Sequence, residues 1–321
     1  MKETVLVTGA AGFIGSQLAA RLLSLGYRVI GLDNFDNFYS PAIKRRNIRT
    51  LEAQDGFQLI EGDIRDGFLL HQIFPKNSIE AVIHLAALAG VRPSLEKALA
   101  YQDVNVRGTI NLLEVSRDQG IKKFVFASSS SVYGLGEKVP FSEEAKIDHP
   151  ISPYAASKAA AELFCRTYNH LFGLPVVVLR LFTVYGPCQR PEMAIHRFVK
   201  MIDQGEKVTI FGDGGARRDF TYIDDITAGF EAALAYHKTS FDIFNLGRGK
   251  TIELMYLLQL IEEALGKKAR IAKLPPQQGD VPITLADISK ARTMLGYQPK
   301  TSVEEGIPSF IRWYRENGDS S

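Results

Sequence analysis

The sequence predicts an α/β protein built on a doubly wound parallel sheet, with a smaller C-terminal lobe. Three observations lead there. Short apolar runs rich in Val, Ile and Leu recur through the first half of the chain, helical stretches separate them, and after Gly186 the rhythm breaks into shorter segments punctuated by proline. Apolar strands joined by helical crossovers are the pattern of a parallel sheet covered on both faces.

Taken in order, the first strand is expected at Thr4–Thr8, followed by a helix over Gly15–Leu25 that Gly26 can stop. Strands follow at Arg28–Leu32, Phe57–Glu61 and Ala81–Leu85, runs of strand length with β-branched enrichment. Val104–Gln119 carries helical patterning up to Gly120, and Phe124–Ala127 is the next strand. Ser152 and Pro153 read as N-cap and first residue of a helix over Tyr154–Phe172, with Gly173 as its stop. Val176–Arg180 is the sixth strand. Pro187, Pro191, the Gly212–Gly215 turn and Pro275-Pro276 then mark a second lobe that begins near residue 181. The expected division is 1–180 with 219–247 returning to it, against 181–218 and 248–321.

Composition narrows the class. The chain has 321 residues, 45% of them hydrophobic and 23% charged, with a formal net charge of +2, which fits an ordinary globular protein and offers no basic stripe for nucleic acid. No apolar run reaches the length of a membrane span, and the start is interrupted too early by Gly9 to read as a signal peptide, so a cytoplasmic location is expected. Two cysteines, Cys165 and Cys188, make no disulfide framework, no zinc-like spacing occurs, and the six histidines are scattered singly. No metal site is expected.

Gly9-Ala10-Ala11-Gly12-Phe13-Ile14-Gly15 follows the first strand and opens the first helix, the context a dinucleotide-binding turn requires. Glycine lets the backbone approach a pyrophosphate, whose charge the helix N-terminus stabilises, so the sheet is expected to be Rossmann-type. Asp33 ends the second strand, where its carboxylate accepts both adenosine ribose hydroxyls and repels a 2′-phosphate. NAD is thereby favoured over NADP, although Arg45 and Arg46 stand further along as possible modifiers. Asp63 and Ile64, after the third strand, are placed to meet the adenine, and in His84-Leu85-Ala86-Ala87 the small residues after the fourth strand let the chain pass close to the cofactor.

Tyr154 and Lys158 stand i,i+4 on the expected helix, so their side chains share a face. An ammonium there can lower the phenol's pKa, and the helix N-terminus also favours a phenolate. Such a phenol can take a hydroxyl proton as hydride leaves the same carbon. Upstream, Ser129 lies in a run of serines at a strand end.

These pieces together resemble the extended short-chain dehydrogenase/reductases, and within them the nucleotide-sugar epimerases and dehydratases. The resemblance rests on the glycine turn, Asp33-Asn34, Gly62-Asp63-Ile64, His84–Ala87, Asn105–Thr109, Phe126–Gly134, Tyr154–Lys158, Leu181–Pro187 and Arg217–Asp225, and spans essentially the whole chain. It implies bound NAD, a nucleoside-diphosphate sugar, and a homodimer joined through Val104–Gln119 and Tyr154–Phe172 of each subunit. Carried over residue by residue, Tyr154 is the base, Lys158 lowers its pKa and holds the nicotinamide ribose, and Ser129, with Ser131 sharing the task, binds the reacting hydroxyl. The cofactor set is Gly9, Gly12, Phe13, Ile14, Gly15, Asp33, Asn34, Asp63, Ile64, Leu85, Ala86, Ala87, Asn105, Tyr154 and Lys158, with Asn105 also expected to support the structure near the active site. Arg218 matches an arginine that pairs with the nucleotide diphosphate, and Asp280 a carboxylate on the uridine ribose.

The reaction follows from what stands beside Ser129. Dehydratases of this group carry an Asp-Glu pair there, whereas this chain has Ser130 and Ser131, so a 4-keto sugar is expected to turn over and take its hydride back. The stretches Thr183–Ala194 and Gln277–Thr284 resemble UDP-glucuronate 4-epimerases, with Thr183 and Arg190 suited to a sugar carboxylate. The expected reaction is UDP-glucuronate to UDP-galacturonate. Alternatives are 4-epimerisation of UDP-glucose or UDP-N-acetylglucosamine, decarboxylation of UDP-glucuronate, and an NAD sensor without catalysis. Cys188-Gln189 departs from the usual pattern in this stretch.

Overall fold

The computed structural model describes residues 3–135, 138–275 and 281–317. Its first half alternates β1 Thr4–Thr8, α1 Phe13–Ser24, β2 Arg28–Asp33, α2 Pro41–Glu52, β3 Phe57–Glu61, α3 Gly67–Asn77 and β4 Ala81–His84. Short helices α4 Val91–Glu96 and α5 Ala98–Tyr101 lead through a π-helical turn, Gln102–Arg107, into α6 Gly108–Asp118. After β5 Lys123–Ser129 and a 3₁₀ turn at Ser130–Tyr133 come α7 Pro153–Phe172 and β6 Val176–Leu181. The remainder holds β7 Thr183–Tyr185, α8 Ala194–Asp203, β8 Lys207–Phe211, β9 Arg217–Arg218, β10 Phe220–Tyr222, α9 Ile223–Leu234 and β11 Phe241–Leu246. It closes with β12 Ile252–Glu253, α10 Leu254–Leu265, β13 Arg270–Leu274, α11 Ser289–Leu295 and α12 Val303–Asn317.

Seven strands form one sheet in the order β11-β6-β5-β4-β1-β2-β3, with every pairing parallel. Side chains alternate between its faces, as strand geometry dictates. Val5, Val7, Val125, Val177 and Leu179 join one core with α1 and α9, while Leu6, Phe124, Phe126, Val176 and Val178 join another with α3, α6 and α7. Both faces are therefore dry, and replacing Phe124 or Phe126 by Ala is worth roughly 3–5 kcal/mol of stability. The chain returns to the sheet late: β11 pairs with β6 from Phe241↔Val176 to Leu246↔Leu181.

The expected strands and helices are present, with shifted ends. β5 continues to Ser129, and the helix expected from Val104 begins with the π-helical turn. Ser152 caps α7 through its Oγ, which accepts from Ala155 N at 3.1 Å, and Pro153 is the first helical residue. At the other end Gly173 takes the left-handed conformation, φ 70°. Helix α2 escapes a periodicity reading because its sequence is mostly polar; only a stripe with Ile43, Ile48 and Leu51 is buried.

Candidate active site

A cavity of about 460 Å³ opens at the C-terminal ends of β1, β2, β4, β5 and β6, the place where parallel sheets take ligands. The turn after β1 builds one wall. Gly9 has φ 69°, and a Cβ there would stand 2.9 Å from Ala86 N; a Cβ on Gly15 would stand 2.1 Å from Gly9 O. Backbone thus packs on backbone at Gly9, Gly15 and Ala86, and only glycine fits the turn. Gly12 is the N-cap of α1, and no side chain makes a capping hydrogen bond to the helix end. Such a cradle fits a dinucleotide's pyrophosphate.

Asp33 is buried at the end of β2, its Oδ2 accepting from Ala11 N at 3.0 Å and its Oδ1 from Phe35 N at 2.8 Å. Burial raises its pKa above the ordinary value; those hydrogen bonds and the Lys44 charge oppose the rise. Asn34 Nδ2 donates to Asp63 Oδ2 at 2.8 Å, and Arg65, hydrogen-bonded to Asp63, is the main cause that brings that carboxyl down to about 2. Neither Arg45 nor Arg46 is among the residues lining the cavity. Arg45 pairs with Glu61 and lies 3.6 Å from the centre of the Phe35 ring, while Arg46 Nη1 donates to Asn317 O at 2.6 Å.

Gly9, Gly12, Phe13, Ile14, Gly15, Asp33, Asn34, Asp63, Ile64, Leu85, Ala86 and Ala87 all line the cavity, together with Ser129, Ser131, Tyr154, Lys158, Thr183 and Arg190. Asn105 does not. It is buried behind the wall, where its Oδ1 accepts from Leu88 N at 2.8 Å and its Nδ2 donates to Leu88 O and to Ser157 Oγ, each at 2.9 Å. Since Ser157 Oγ donates to Tyr154 O at 2.8 Å, Asn105 ties the loop after β4 to the first turn of α7. Arg218 also lies outside the lining, with Nη1 donating to the carbonyls of Arg217 at 3.0 Å and Pro282 at 3.2 Å. Asp280 falls outside the described residues.

Tyr154 stands on the face of α7 toward β5, its hydroxyl hydrogen-bonded with Ser129. Ser129 Oγ donates to Ser131 Oγ at 3.1 Å. Tyr101 packs edge-on against the Tyr154 ring, centroids 6.1 Å apart at 79°, and is itself fixed by its hydroxyl donating to Ala89 O at 2.8 Å.

Burial is the first influence on both Tyr154 and Lys158. Lys158 Nζ donates to Ala127 O at 2.8 Å, and burial lowers the ammonium's pKa to about 8. The Tyr154 phenol is raised above 10 by burial, and what opposes the rise is the Ser129 hydrogen bond and the charge of Arg190.

Arg190 arrives on the loop after β7. Cys188 there has φ 66°, in the left-handed region, and its Sγ accepts from Gln17 Nε2 at 3.2 Å. His196 Nδ1 donates to Gln189 O at 2.8 Å, so both residues before Arg190 are pinned. Arg190 Nε lies 3.2 Å from Glu192 Oε1, and its guanidinium sits 5.7 Å from the Phe38 ring centre.

A family model described as GDP-mannose 4,6 dehydratase matches residues 6–310. The chain belongs to that family of extended short-chain dehydrogenase/reductases. A UDP-glucuronate 4-epimerase of Thermodesulfobacterium geofontis is 47% identical over 97% of this chain and 96% of that protein. The crystal structure of UDP-glucuronic acid 4-epimerase from Bacillus cereus, in complex with UDP-glucuronic acid and NAD, is 39% identical with a TM-score of 0.91, covering 98% of this chain and 99% of that one. A UDP-glucose 4-epimerase of Thermotoga maritima, solved with UDP-glucose, is 34% identical with a TM-score of 0.88 and covers 98% of this chain and 99% of that one.

The sequence reading missed Phe38, Tyr39 and Lys44, which also line the cavity. They sit in and after a run of side-chain turns, with Asn34 Oδ1 accepting from Asp36 N and Asp36 Oδ1 from Phe38 N. That Asx-rich stretch was the available local signal. Among the described residues no cluster of His, Cys, Asp and Glu could hold a metal, and no helix is long and apolar enough to cross a membrane.

Proposed function

We propose that the protein is an NAD-dependent UDP-glucuronate 4-epimerase, producing UDP-galacturonate through a 4-keto sugar. One observation carries this reading: Arg190 and Thr183 line the same cavity as Ser129, Tyr154 and the glycine cradle. A base for a sugar hydroxyl, a cofactor wall and a cation for a carboxylate therefore share one space. The family match and the relatives' names support the same activity.

Gly9, Gly12, Phe13, Ile14 and Gly15 would hold the cofactor's diphosphate, Asp33 its adenosine ribose, Asp63 and Ile64 its adenine, and Lys158 its nicotinamide ribose. When bound, NAD supplies a positively charged ring that accepts the hydride from C4 and gives it back. The protein's part is proton control. Tyr154 takes the proton of the 4-hydroxyl, held in line by Ser129 with Ser131 beside it, and returns it to the same oxygen once the ketose has turned over and its other face has been reduced. Ser130 and Ser131 offer no carboxyl pair to remove water, so the ketone persists until it is reduced.

Arg190 and Thr183 hold the substrate carboxylate. A 4-keto uronic acid is a β-keto acid and loses carbon dioxide when its carboxylate stands perpendicular to the carbonyl plane; a clamp in another orientation protects it. The nucleotide-sugar lobe would comprise 181–218 and 248–321, with Arg218 and Asp280 toward the nucleotide. A homodimer through α6 and α7 is supported by Leu163 and Leu171, each 62% exposed and about two turns apart on α7, and by half-exposed Phe172. Sedimentation of Leu163→Glu should then give monomer, and a dimer would reject this interface.

The activity is tested by offering a panel of UDP-sugars without added cofactor. UDP-galacturonate formed from UDP-glucuronate supports the reading; UDP-xylose with carbon dioxide makes the protein a decarboxylase, and turnover of UDP-glucose alone moves it to the neutral sugars.

A further inference from the structure

We propose that the Tyr39 hydroxyl is a ligand of the cofactor's diphosphate, an assignment that rests on the dinucleotide reading of the cavity. Tyr39 Oη is buried and makes no hydrogen bond among the described residues, yet Tyr39 lines the cavity. A buried hydroxyl left unpaired is destabilising, so its retention points to a partner outside the chain.

Position gives that partner's chemistry. The ideal Cβ of Gly12 lies 4.0 Å from Tyr39 Oη, and Gly12 is the N-cap of α1. The hydroxyl thus stands over the helix N-terminus, where amide N–H groups and the helix dipole favour an anion. Burial pushes the phenol above its ordinary 10, so at neutral pH it is protonated and can donate. Donation to a phosphate oxygen is charge-assisted and stronger than a neutral bond.

The loop that carries Tyr39 is held in place. Lys44 Nζ donates to Asp36 O at 2.7 Å and lies 5.0 Å from the Tyr39 ring centre, so an ammonium braces the ring from one side. The Arg190 charge also reaches the Tyr39 hydroxyl. Tyr39 consequently stands between the cofactor cradle and the proposed carboxylate clamp.

The test uses the full chain freed of nucleotide, with Tyr39→Phe as the variant and ADP-ribose and adenosine as probes. Expected results are a loss of roughly tenfold to a hundredfold in ADP-ribose affinity by calorimetry, unchanged adenosine binding by competition NMR, and a nucleotide-free melting temperature equal to or above the parental one. Equal ADP-ribose affinity would overturn the assignment, as would an equal loss for adenosine, which places the hydroxyl on the ribose, or a lower nucleotide-free melting temperature, which makes it structural. A parental chain that ignores ADP-ribose would remove the dinucleotide reading itself; a parental chain that binds it, beside a variant that binds equally, would remove only the role of Tyr39.

Discussion

Glu162 and Arg180 meet inside the protein, Nη2 2.8 Å from Oε2 and Nε 3.0 Å from Oε1, with both side chains 3% exposed. Glu162 also accepts from Ser128 Oγ at 2.5 Å, next to Ser129, and follows Lys158 by one helical turn. Arg180 Nη1 donates to Tyr133 Oη at 3.0 Å, Tyr133 donates to Asn245 Oδ1 at 2.7 Å, and Asn245 Nδ2 donates to the carbonyls of Phe141 and Asp287. One buried polar chain therefore runs from the catalytic edge of β5 and α7 through β6 and β11 to the segments at 141 and 287.

Breaking such a pair leaves a charge buried without compensation, which costs about 3–5 kcal/mol. Glu162→Ala is expected to lose that much stability in urea denaturation, and replacing Glu162 and Arg180 together by apolar residues to lose less. A single variant as stable as the parental chain would mean that the guanidinium finds another partner.

Tyr154→Phe keeps the ring that packs on Tyr101 and removes only the proton acceptor. Turnover should fall by roughly 10²–10⁴, while NAD content in the purified variant stays at the parental level. Parental kinetics would eliminate Tyr154 as the base.

Arg190→Ala removes the proposed carboxylate clamp, and kcat/KM on UDP-glucuronate should fall by about 10–100-fold, the worth of a hydrogen bond to a charged group. The same cation also favours the Tyr154 phenolate. Its loss raises the phenol's pKa, so the acid limb of the residual pH–rate profile should move to higher pH. An unmoved limb would show that the charge of Arg190 does not reach the base.

Lys158 titrates near 8 in the folded protein against an ordinary 10.5, because burial penalises its charge. Between those values the unfolded chain binds more protons, so the stability linked to this group rises with pH across that window. Lys158→Met should accordingly gain most in melting temperature over the parental chain below pH 8, and the gap should narrow as pH approaches 10.5. A gap independent of pH would mean that burial leaves the ammonium's pKa at its unfolded value.

The glycine turn, Asp33, the serine run and the Tyr154–Lys158 spacing were legible because each expresses a local requirement: a close backbone approach, a strand end or one face of a helix turn. Five of the six early strands were legible for the same reason, since burial on both faces leaves a mostly apolar run, while β3 at the sheet edge is only partly covered. Asn105 shows the limit of this kind of reading. Its position near the site could be expected, but that it grips Leu88 and Ser157 from behind the wall depends on how α7 and the π-helical turn pack.

The sequence by itself determined the sheet, the glycine cradle and the shared helix face of Tyr154 and Lys158. Only the tertiary structure decided that Lys158 binds Ala127 O while Arg190 bears on the phenol, that Arg45 pairs with Glu61 and Arg46 with Asn317 O, and that Tyr39 stands over Gly12. Periodicity and turn chemistry act over a few neighbouring residues, whereas fields, burial and hydrogen-bond competition act across space between segments far apart in the chain.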